Sequence, residues 1–187
     1  MEFRLVSSTD YEAMWRIYQQ YIDSNITFEY VLPTLSEFSE RINHITEDYA
    51  CIVCDDGGEL LGYAYAHRFA LRAGYNWAAE LSVYTSKQSN GLGIGKRLYQ
   101  AIIDICKIQG IQTVYGIVTV GNVASELLHE KFGFQRVGTL NKVGYKNNQW
   151  LSCSYYEKAI GHYSTPVDEL KKIKQIELKQ IEAVLKQ

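Results

Sequence analysis

The sequence lacks long apolar runs and lacks an excess of charge of either sign. No stretch approaches the roughly 18 consecutive apolar residues of a membrane span, so we expect none. The net charge of −2 provides no broad basic surface, which argues against nucleic acid or an anionic membrane as a partner. Because the first residues, MEFRLVSSTDYEAMW, show no basic start followed by an apolar run, we expect no signal peptide and a cytoplasmic protein.

Cysteine is also sparse, with four among 187 residues. Cys51 and Cys54 form a C-x-x-C pair, a spacing that occurs in redox motifs and in zinc sites. The pair lies in the strand-like run YACIVCDD, where residues three apart point to opposite faces. No second C-x-x-C and no histidine pair is present to complete a zinc site. We therefore expect ordinary core thiols and no metal centre.

The order of the predicted elements indicates one mixed domain. T-x-x-E capping boxes at Thr9 and Thr34 predict the starts of two helices. Asp-Asp-Gly-Gly between two apolar runs predicts a β-hairpin. Two further helices, GKRLYQAIIDICKIQ and NVASELLHEKF, alternate with strands. We predict an α/β (α+β) domain with a mixed, mostly antiparallel sheet flanked by helices.

Three alternating glycines mark the segment QSNGLGIGKR, residues 88–97. Glycine at every second position suits neither a strand nor the interior of a helix. The segment connects a predicted strand to a predicted helix, where bare backbone would let a phosphate reach the free N–H groups of the helix start. A Walker A loop is excluded at Asn90 and Arg97, and a dinucleotide fingerprint is excluded at Lys96. Phosphate binding is the favoured interpretation, with a flexible strand-to-helix loop as the alternative.

The surrounding segment SVYTSKQSNGLGIGKRLYQAII resembles the acyl-CoA pyrophosphate loop of the GNAT N-acetyltransferase superfamily. In that loop, [RQ]-x-x-G-x-[GA] follows an apolar strand and opens a helix. TVYGIVTVGNVASELLHEKFGFQRVG resembles a second motif, in which Asn starts a helix that Gly-Phe ends. NITFEY, LRAGYNWAAELSVYTS, ASELLHEKFGF and VGYKNNQW are similar to the phosphinothricin and methionine-sulfoximine acetyltransferase subfamily. The resemblance extends as far as residue 158 and implies the GNAT fold, with acetyl-CoA as co-substrate.

Three positions depart from these family patterns. Asn90 stands where the superfamily prefers Arg or Gln, but Gln88 also fits the motif, so two registers of the loop remain open. His129 occupies a position near the end of a helix where many superfamily members carry a tyrosine acid. Trp150-Leu151-Ser152 replaces the W-x-D that is frequent in the subfamily.

The resemblance also implies which residues bind the co-substrate. The backbone of Val83, Tyr84 and Thr85 would pair with the pantetheine arm, and an N–H there would polarise the acetyl carbonyl. Asn122 would hydrogen-bond the same arm, or serve only as a helix N-cap. Lys87 and Arg97 are candidate phosphate contacts, or solvated helix charges. The loop that would hold the pyrophosphate comprises Gln88, Asn90, Gly91, Leu92, Gly93, Ile94, Gly95 and Lys96.

Candidate catalytic and acceptor residues come from the same comparison. Glu80, inside the apolar strand WAAELSVY, is a candidate base for the amine; the alternative is a surface glutamate. His129 is a candidate acid, base or substrate ligand, or a structural histidine. Arg72 suits a carboxylate on the acceptor. Phe28 and Tyr75 are candidate pocket walls, with core packing as the alternative.

These residues predict an N-acetyltransferase that moves acetyl from acetyl-CoA to the α-amine of a small amino-acid-like acceptor in a ternary complex. The resemblance implies acceptors of the phosphinothricin or methionine sulfoximine type. Polyamines, aminoglycosides and protein N-termini remain alternative acceptors, and a non-catalytic acetyl-CoA sensor remains an alternative class. The presence of Glu80 favours an enzyme, and Arg72 favours a carboxylate-bearing acceptor.

Residues 161–187 form a tail beyond the catalytic domain, which we assign to residues 1–160. Pro166 can be a first helical residue, which predicts an amphipathic helix from that point. We expect it to pack on its own domain or on a second subunit of a homodimer, without a catalytic role; a frayed terminus is the alternative. The apolar stripe of this helix would contain Val167, Leu170, Leu178, Ile181 and Leu185.

Overall fold

A computed structural model describes residues 1–187, which form seven strands and five α-helices. None of the helices is both long enough and apolar enough to cross a membrane. In chain order the elements are β1 (Glu2–Leu5), α1 (Tyr11–Gln19), α2 (Leu35–Asp48), β2 (Cys51–Asp56), β3 (Glu59–Arg68), β4 (Ala78–Thr85), α3 (Ile94–Gln109), β5 (Thr113–Thr119), α4 (Val123–Lys131), β6 (Gln135–Lys146), β7 (Gln149–Ala159) and α5 (Leu178–Leu185).

All seven strands belong to one sheet in the order β1-β2-β3-β4-β5-β7-β6. Only β4 and β5 run parallel; every other neighbouring pair is antiparallel. The mixed, mostly antiparallel sheet predicted from the sequence is therefore confirmed. The hairpin around Asp-Asp-Gly-Gly is confirmed too, since β2 and β3 pair on either side of it.

The helices cover both faces of the sheet. On one face, the Tyr18 ring of α1 contacts the Tyr84 ring of β4 edge-on. On the other face, Leu98 of α3 lies against Gly62 of β3, whose strand partner is Thr85. Since side chains alternate along a strand, adjacent β4 residues reach opposite layers of the core.

The ladder between β4 and β5 is short, and this positions the site. It contains only the pairs Ala78–Thr113, Ala79–Val114 and Glu80–Tyr115. Beyond Glu80 the strands separate, although β4 continues to Thr85 and β5 continues to Thr119. A gap therefore opens in the middle of the sheet, lined by backbone that has no strand partner on that side.

One of the two predicted capping boxes is present. The Thr34 hydroxyl accepts a hydrogen bond from the Glu37 N–H, and the Glu37 carboxylate accepts one from the Thr34 N–H. The box predicted from Thr9 is wrong. There the Asp10 carboxylate accepts hydrogen bonds from the Ser7 N–H and from Arg4 of β1, so a 3₁₀ turn precedes α1.

All four cysteines are buried and unpaired, as expected for core thiols. They are distributed over two strands and one helix. Cys51 and Cys54 lie in β2, Cys106 lies in α3 and Cys153 lies in β7; β2 and β7 are separated by three strands in the sheet order.

The tail helix is shorter than predicted. It begins at Leu178 rather than at Pro166, after a 3₁₀ turn at Ile173–Gln175. The predicted stripe is wrong in part, because Val167 and Leu178 are 41% and 58% exposed. Competing contacts explain the difference: Gln109 at the end of α3 exchanges hydrogen bonds with the backbone of Lys171, which holds this part of the tail in a non-helical conformation. The buried tail residues are Ile173, Ile176, Ile181 and Leu185.

Candidate active site

The separation of β4 from β5 opens a cleft of about 660 Å³. One side, here called the strand wall, consists of β4 residues 81–85, the start of α3 and the start of α4. The opposite side, here called the loop wall, belongs to residues 21–30 between α1 and α2, of which Tyr21, Ile26, Thr27 and Phe28 line the cleft. Ten of the residues predicted for the site line this cleft: Phe28, Glu80, Val83, Tyr84, Thr85, Lys87, Asn90, Gly95, Asn122 and His129.

The glycine segment makes the turn from β4 into α3. Gly91 and Gly93 have φ angles of +85° and +77°, which residues with a side chain adopt only with strain. Gly93 is the N-cap of α3 and offers no side chain to the helix start. The N–H groups of the first turn therefore have no capping partner, and with the positive end of the helix dipole they form a place for an anion.

Only part of this segment faces the cleft. Asn90 and Gly95 line it, whereas the Ile94 side chain is buried in the core and Leu92 is exposed. The predicted loop residues that do not line the cleft are Gln88, Gly91, Leu92, Gly93, Ile94 and Lys96.

Arg97 is directed to the tail rather than to the cleft. Its guanidinium lies 4.0 Å from the centre of the Phe3 ring and donates a hydrogen bond to the Leu185 carbonyl at 3.3 Å. These contacts stabilise the docking of α5 beside the start of α3. Lys87, by contrast, lines the cleft.

Glu80 lies at the point where β4 and β5 separate, and a histidine accompanies it. His67 of β3 is the strand partner of Glu80, and its Nε2 is 3.7 Å from Glu80 Oε1. Since a carbonyl oxygen only accepts, the His67 Nδ1–H donates to the Arg68 carbonyl, which leaves Nε2 for the carboxylate. Burial disfavours the charged imidazole, but the Glu80 carboxylate outweighs burial and raises the pKa of His67. The site thus contains a carboxylate beside a titratable imidazole.

His129 is buried, with only 4% of its surface exposed. Its Nδ1 donates to the Ser125 carbonyl at 2.7 Å, and its Nε2 then accepts from the Tyr99 hydroxyl at 2.8 Å. Burial lowers the pKa of His129 and outweighs the opposing effect of the hydrogen bond that His129 donates to the Ser125 carbonyl. A Cβ at Gly116 would overlap Nε2, so the glycine provides the space for the ring. Burial therefore favours the neutral imidazole, and both of its nitrogens are occupied.

Asn122 begins α4 and lines the cleft at the same time. Its Oδ1 accepts a hydrogen bond from the Ser125 N–H at 3.4 Å, which makes it the N-cap. Its Nδ2 makes no hydrogen bond within the protein, so these N–H groups are free to donate into the cleft.

Comparison with known proteins identifies the architecture. Residues 3–153 match the acetyltransferase (GNAT) domain family. This chain belongs to the GNAT acetyltransferase family. It is an acetyl-CoA-dependent N-acetyltransferase, so the enzyme class, the fold and the co-substrate predicted from the sequence are confirmed.

Three similar proteins show how far the likeness of this acetyltransferase extends. A phosphinothricin N-acetyltransferase from Streptomyces viridochromogenes is 29% identical over 159 residues, covering 84% of this chain and 87% of that protein. An L-methionine sulfoximine/L-methionine sulfone acetyltransferase from Pseudomonas paraeruginosa is 33% identical over 112 residues, or 59% of this chain and 65% of that protein. The crystal structure of a phosphinothricin acetyltransferase from Sinorhizobium meliloti in complex with acetyl-CoA has a TM-score of 0.82 and 28% identity, covering 85% of this chain and 88% of that chain.

Two residues predicted to bind the acceptor lie outside the cleft of this acetyltransferase. Arg72 is exposed and precedes a 3₁₀ turn at Ala73–Tyr75. Tyr75 lines a separate pocket of about 330 Å³ together with Trp77 and Tyr163. Phe28, in contrast, lies in the loop wall as predicted.

Sequence reasoning missed three residues of this acetyltransferase: His67, Tyr99 and Gly116. His67 adjoins Glu80 only because β3 pairs with β4. The register of that pairing depends on the connection between the two strands, whose length the sequence does not reveal. Tyr99 and Gly116 contact His129 from α3 and β5. A glycine inside the strand TVYGIVT was the one available signal, since such a glycine marks a close approach of other atoms.

Proposed function

We propose that this enzyme transfers acetyl from acetyl-CoA to the α-amine of a small amino-acid-like acceptor, of the phosphinothricin or methionine sulfoximine type. The observation that carries the proposal is that one cleft holds the uncapped start of α3, the unpaired edge of β4 and the Glu80 carboxylate. Relatives named for these two acceptors support the choice of substrate class.

The strand wall is assigned to acetyl-CoA. The pyrophosphate would lie at the N–H groups that start α3, within the loop from Gln88 to Lys96. The pantetheine arm would pair with the edge of Val83–Thr85 that has no strand partner, and Asn122 would donate to it from the other side. Because Asn90 lines the cleft and Gln88 does not, the register that begins at Asn90 is preferred.

Glu80 is assigned as the base that removes the proton from the acceptor ammonium. A backbone N–H of the β4 edge would polarise the acetyl carbonyl while the amine attacks it. The C–S bond would then break and release the CoA thiolate. Holding the amine and the acetyl group together in one cleft supplies much of the acceleration. We assign His129 a structural role in the strand wall rather than the acid or base role considered above, because both of its nitrogens are occupied.

The acceptor is assigned to the loop wall, where Phe28 would contact its side chain. Arg72 makes no ion pair in the folded chain, which leaves its guanidinium for the acceptor carboxylate once the flanking loop approaches the cleft. Tyr75 lies on the same loop and would move towards the cleft with Arg72. The proposed acceptor is therefore recognised at both ends, by an aromatic ring and by a cation.

An acceptor screen tests the proposal directly. Thiol release from acetyl-CoA is followed with amino acids, methionine sulfoximine, phosphinothricin, polyamines, aminoglycosides and a peptide with a free N-terminus. We expect turnover with the first three classes. Turnover confined to polyamines, aminoglycosides or the peptide would overturn the choice of acceptor while leaving the acetyl-CoA assignment in place.

We also propose a homodimer, formed through the edge strand β6. Its exposed apolar residues adjoin the exposed Trp150 of β7 and would be covered by a second copy of the chain: Val137, Leu140, Val143 and Tyr145. Sedimentation tests this, because Val143→Glu should shift the protein to the monomer. Buried, unpaired cysteines favour a cytoplasmic protein, and we propose no role for nucleic acid or membrane.

Residues 161–187 are assigned a stabilising role on the domain of residues 1–160. Lys172 forms an ion pair with Asp48 at 2.7 Å, and Trp77 donates a hydrogen bond to the Asp168 carbonyl. Deleting the tail should lower the melting temperature while kcat per folded molecule stays close to that of the full chain.

A further inference from the structure

The end of β6 and the turn after it contact the loop wall at four consecutive residues, 144–147, here called the turn clamp. The loop wall belongs to the connection between α1 and α2, which contains neither helix nor strand. A connection of that kind has no internal ladder of hydrogen bonds, so its position depends on contacts from elsewhere. Because it carries Phe28 into the cleft, whatever fixes the loop wall also shapes the cleft.

Lys146 is the centre of the turn clamp. It is a lysine with only 4% of its surface exposed. Its Nζ donates to the carbonyls of Ile22, Ser24 and Thr27 at 2.6, 2.7 and 2.6 Å. Three acceptors match the three N–H groups of an ammonium, whereas a neutral amine has only two. Burial lowers the pKa of Lys146, and the charges of Asp23 and Glu29 oppose this shift. The three carbonyl contacts favour the charged amine as well.

The neighbours of Lys146 act on the same loop. Asn147 donates from Nδ2 to the Asp23 carbonyl at 3.1 Å and to Asn25 Oδ1 at 2.9 Å. The Tyr30 hydroxyl donates to the Tyr145 carbonyl. A Cβ at Gly144 would overlap the Phe28 ring, so the ring rests directly on glycine backbone.

The geometry of the turn explains why these contacts coincide. Asn147 and Asn148 have φ angles of +50° and +59°, and Lys146 pairs with Gln149 across them. Two left-handed residues between paired strands form the hairpin turn that matches the strand twist. Gly144 and Lys146, two residues apart on β6, then point to the same face, towards the loop wall.

We propose that Lys146 is a positioning residue for acceptor binding: its ammonium holds the loop wall, and thereby Phe28, against the cleft. The inference rests on the proposed function, because it concerns the site assigned to the acceptor. It adds a residue outside the cleft on which acceptor affinity depends.

The test replaces Lys146 with methionine, which keeps the length of the side chain and removes its charge and donors. Lys142→Met, an exposed lysine on the same strand, is the matched control. Hydrogen exchange at residues 21–30 is measured without ligand, and acceptor KM and acetyl-CoA Kd are measured separately. We expect exchange and acceptor KM each to rise about tenfold in Lys146→Met, the size expected for losing charge-assisted hydrogen bonds. The acetyl-CoA Kd and all values for Lys142→Met should remain within about twofold of wild type.

Cation rescue separates the role of the charge from that of volume. Lys146→Ala leaves a space lined by three carbonyl oxygens, a set of ligands that coordinates potassium. Potassium should restore part of the protection at residues 21–30, and tetramethylammonium at equal ionic strength should not. If Lys146→Met does not fold, Asn147→Gly takes its place, because glycine keeps the left-handed turn and removes the amide donor.

Unchanged exchange at residues 21–30 in these variants would overturn the inference. A parallel loss of acceptor and acetyl-CoA affinity would overturn it too, because a general destabilisation produces that pattern. If wild-type protein acetylates no amino acid, the proposed function fails, but the exchange and rescue measurements still decide whether Lys146 holds the loop.

Discussion

The strand wall of the cleft is made of regular secondary structure, whereas the loop wall is a connection between two helices held by side chains. The strand wall presents backbone groups, namely the edge of β4 and the start of α3. The loop wall presents side chains such as Phe28, and distant contacts such as those of Lys146 hold it in place. The difference teaches that one half of the site is rigid through the sheet itself and suits the constant co-substrate. The other half meets the sheet through side chains, such as the Tyr21 hydroxyl that donates to the Thr85 carbonyl, and this suits the more variable acceptor.

The largest effect should come from Glu80, which stands between the two walls. Glu80→Gln should lower kcat by about 10²–10⁴-fold, because an amide cannot take the ammonium proton. Acetyl-CoA affinity should be nearly unchanged, since the strand wall remains intact. Steady-state kinetics with calorimetric titration of acetyl-CoA provide the measurement. Wild-type kcat at every pH would remove Glu80 as the base.

Arg72→Ala tests whether the acceptor side extends beyond the loop wall. We expect a higher KM for carboxylate-bearing acceptors, by about 1.5–3 kcal/mol in binding free energy, because a charge-assisted contact is lost. Acetyl-CoA affinity should not change. Arg136→Ala, an exposed arginine on β6, is the control. An unchanged KM for every accepted amine would leave Arg72 without a role in the site.

Gly116→Ala should damage the strand wall through packing alone. The new methyl group would displace the His129 ring and its hydrogen bond with Tyr99, at a cost of about 1–3 kcal/mol in unfolding free energy. Denaturant unfolding checks this, with Gly138→Ala as control because an added Cβ there meets nothing. Equal stability of the two variants would mean that the ring moves without cost.

The smallest effect concerns the pH response of two histidines: His67, which lies beside a carboxylate, and His129, which is buried. His67 beside Glu80 has a raised pKa, so its contribution to stability is complete below the unfolded pKa and is lost as pH rises through the folded value. His129 has a lowered pKa, so its contribution is present above the unfolded pKa and is lost as pH falls through the folded value.

NMR titration of the imidazole protons measures both shifts, with His67→Gln to assign one signal. We expect His67 to titrate at higher pH than His129, and Glu80→Gln to lower the His67 midpoint. Coinciding midpoints for the two histidines would contradict the arrangement of charges described here.

The two walls also differ in how far the sequence predicted them. The glycines before α3 and Asn122 at the start of α4 were predictable because they belong to local patterns. A site made of backbone groups requires particular residues within a few positions of one another. Glu80 was found because a carboxylate interrupts an apolar strand. Lys146 and His67 were not found, since each acquires its partners through strand pairing or from residues more than a hundred positions away.

Most helices and strands were predictable because they too depend on local patterns. The wrong predictions fall where contacts from distant parts of the chain decide the structure. Helices α3 and α4 begin and end within a residue of the predicted segments, as Gly110 and Asn122 indicate. The box at Thr9 failed because Arg4 of the neighbouring strand holds Asp10 instead. The predicted start of the tail helix was wrong because Gln109 donates a hydrogen bond to the Lys171 carbonyl, which a helix would have paired internally. In both places a tertiary contact outweighed a local preference.

The gap between β4 and β5 has a consequence for how freely the site can change its sequence. A ligand that pairs with a strand edge contacts amide groups that every residue except proline supplies. The side chains of Val83 and Thr85 meanwhile point into the layer beneath α3, where Thr85 adjoins Gly62 and Gly95. In a saturation library at these two positions, acetyl-CoA affinity should therefore depend on the volume of the new side chain and hardly at all on its polarity. Proline should be excluded at both positions. The proposed co-substrate site in this sense depends on the sheet, and it should persist for as long as the sheet folds.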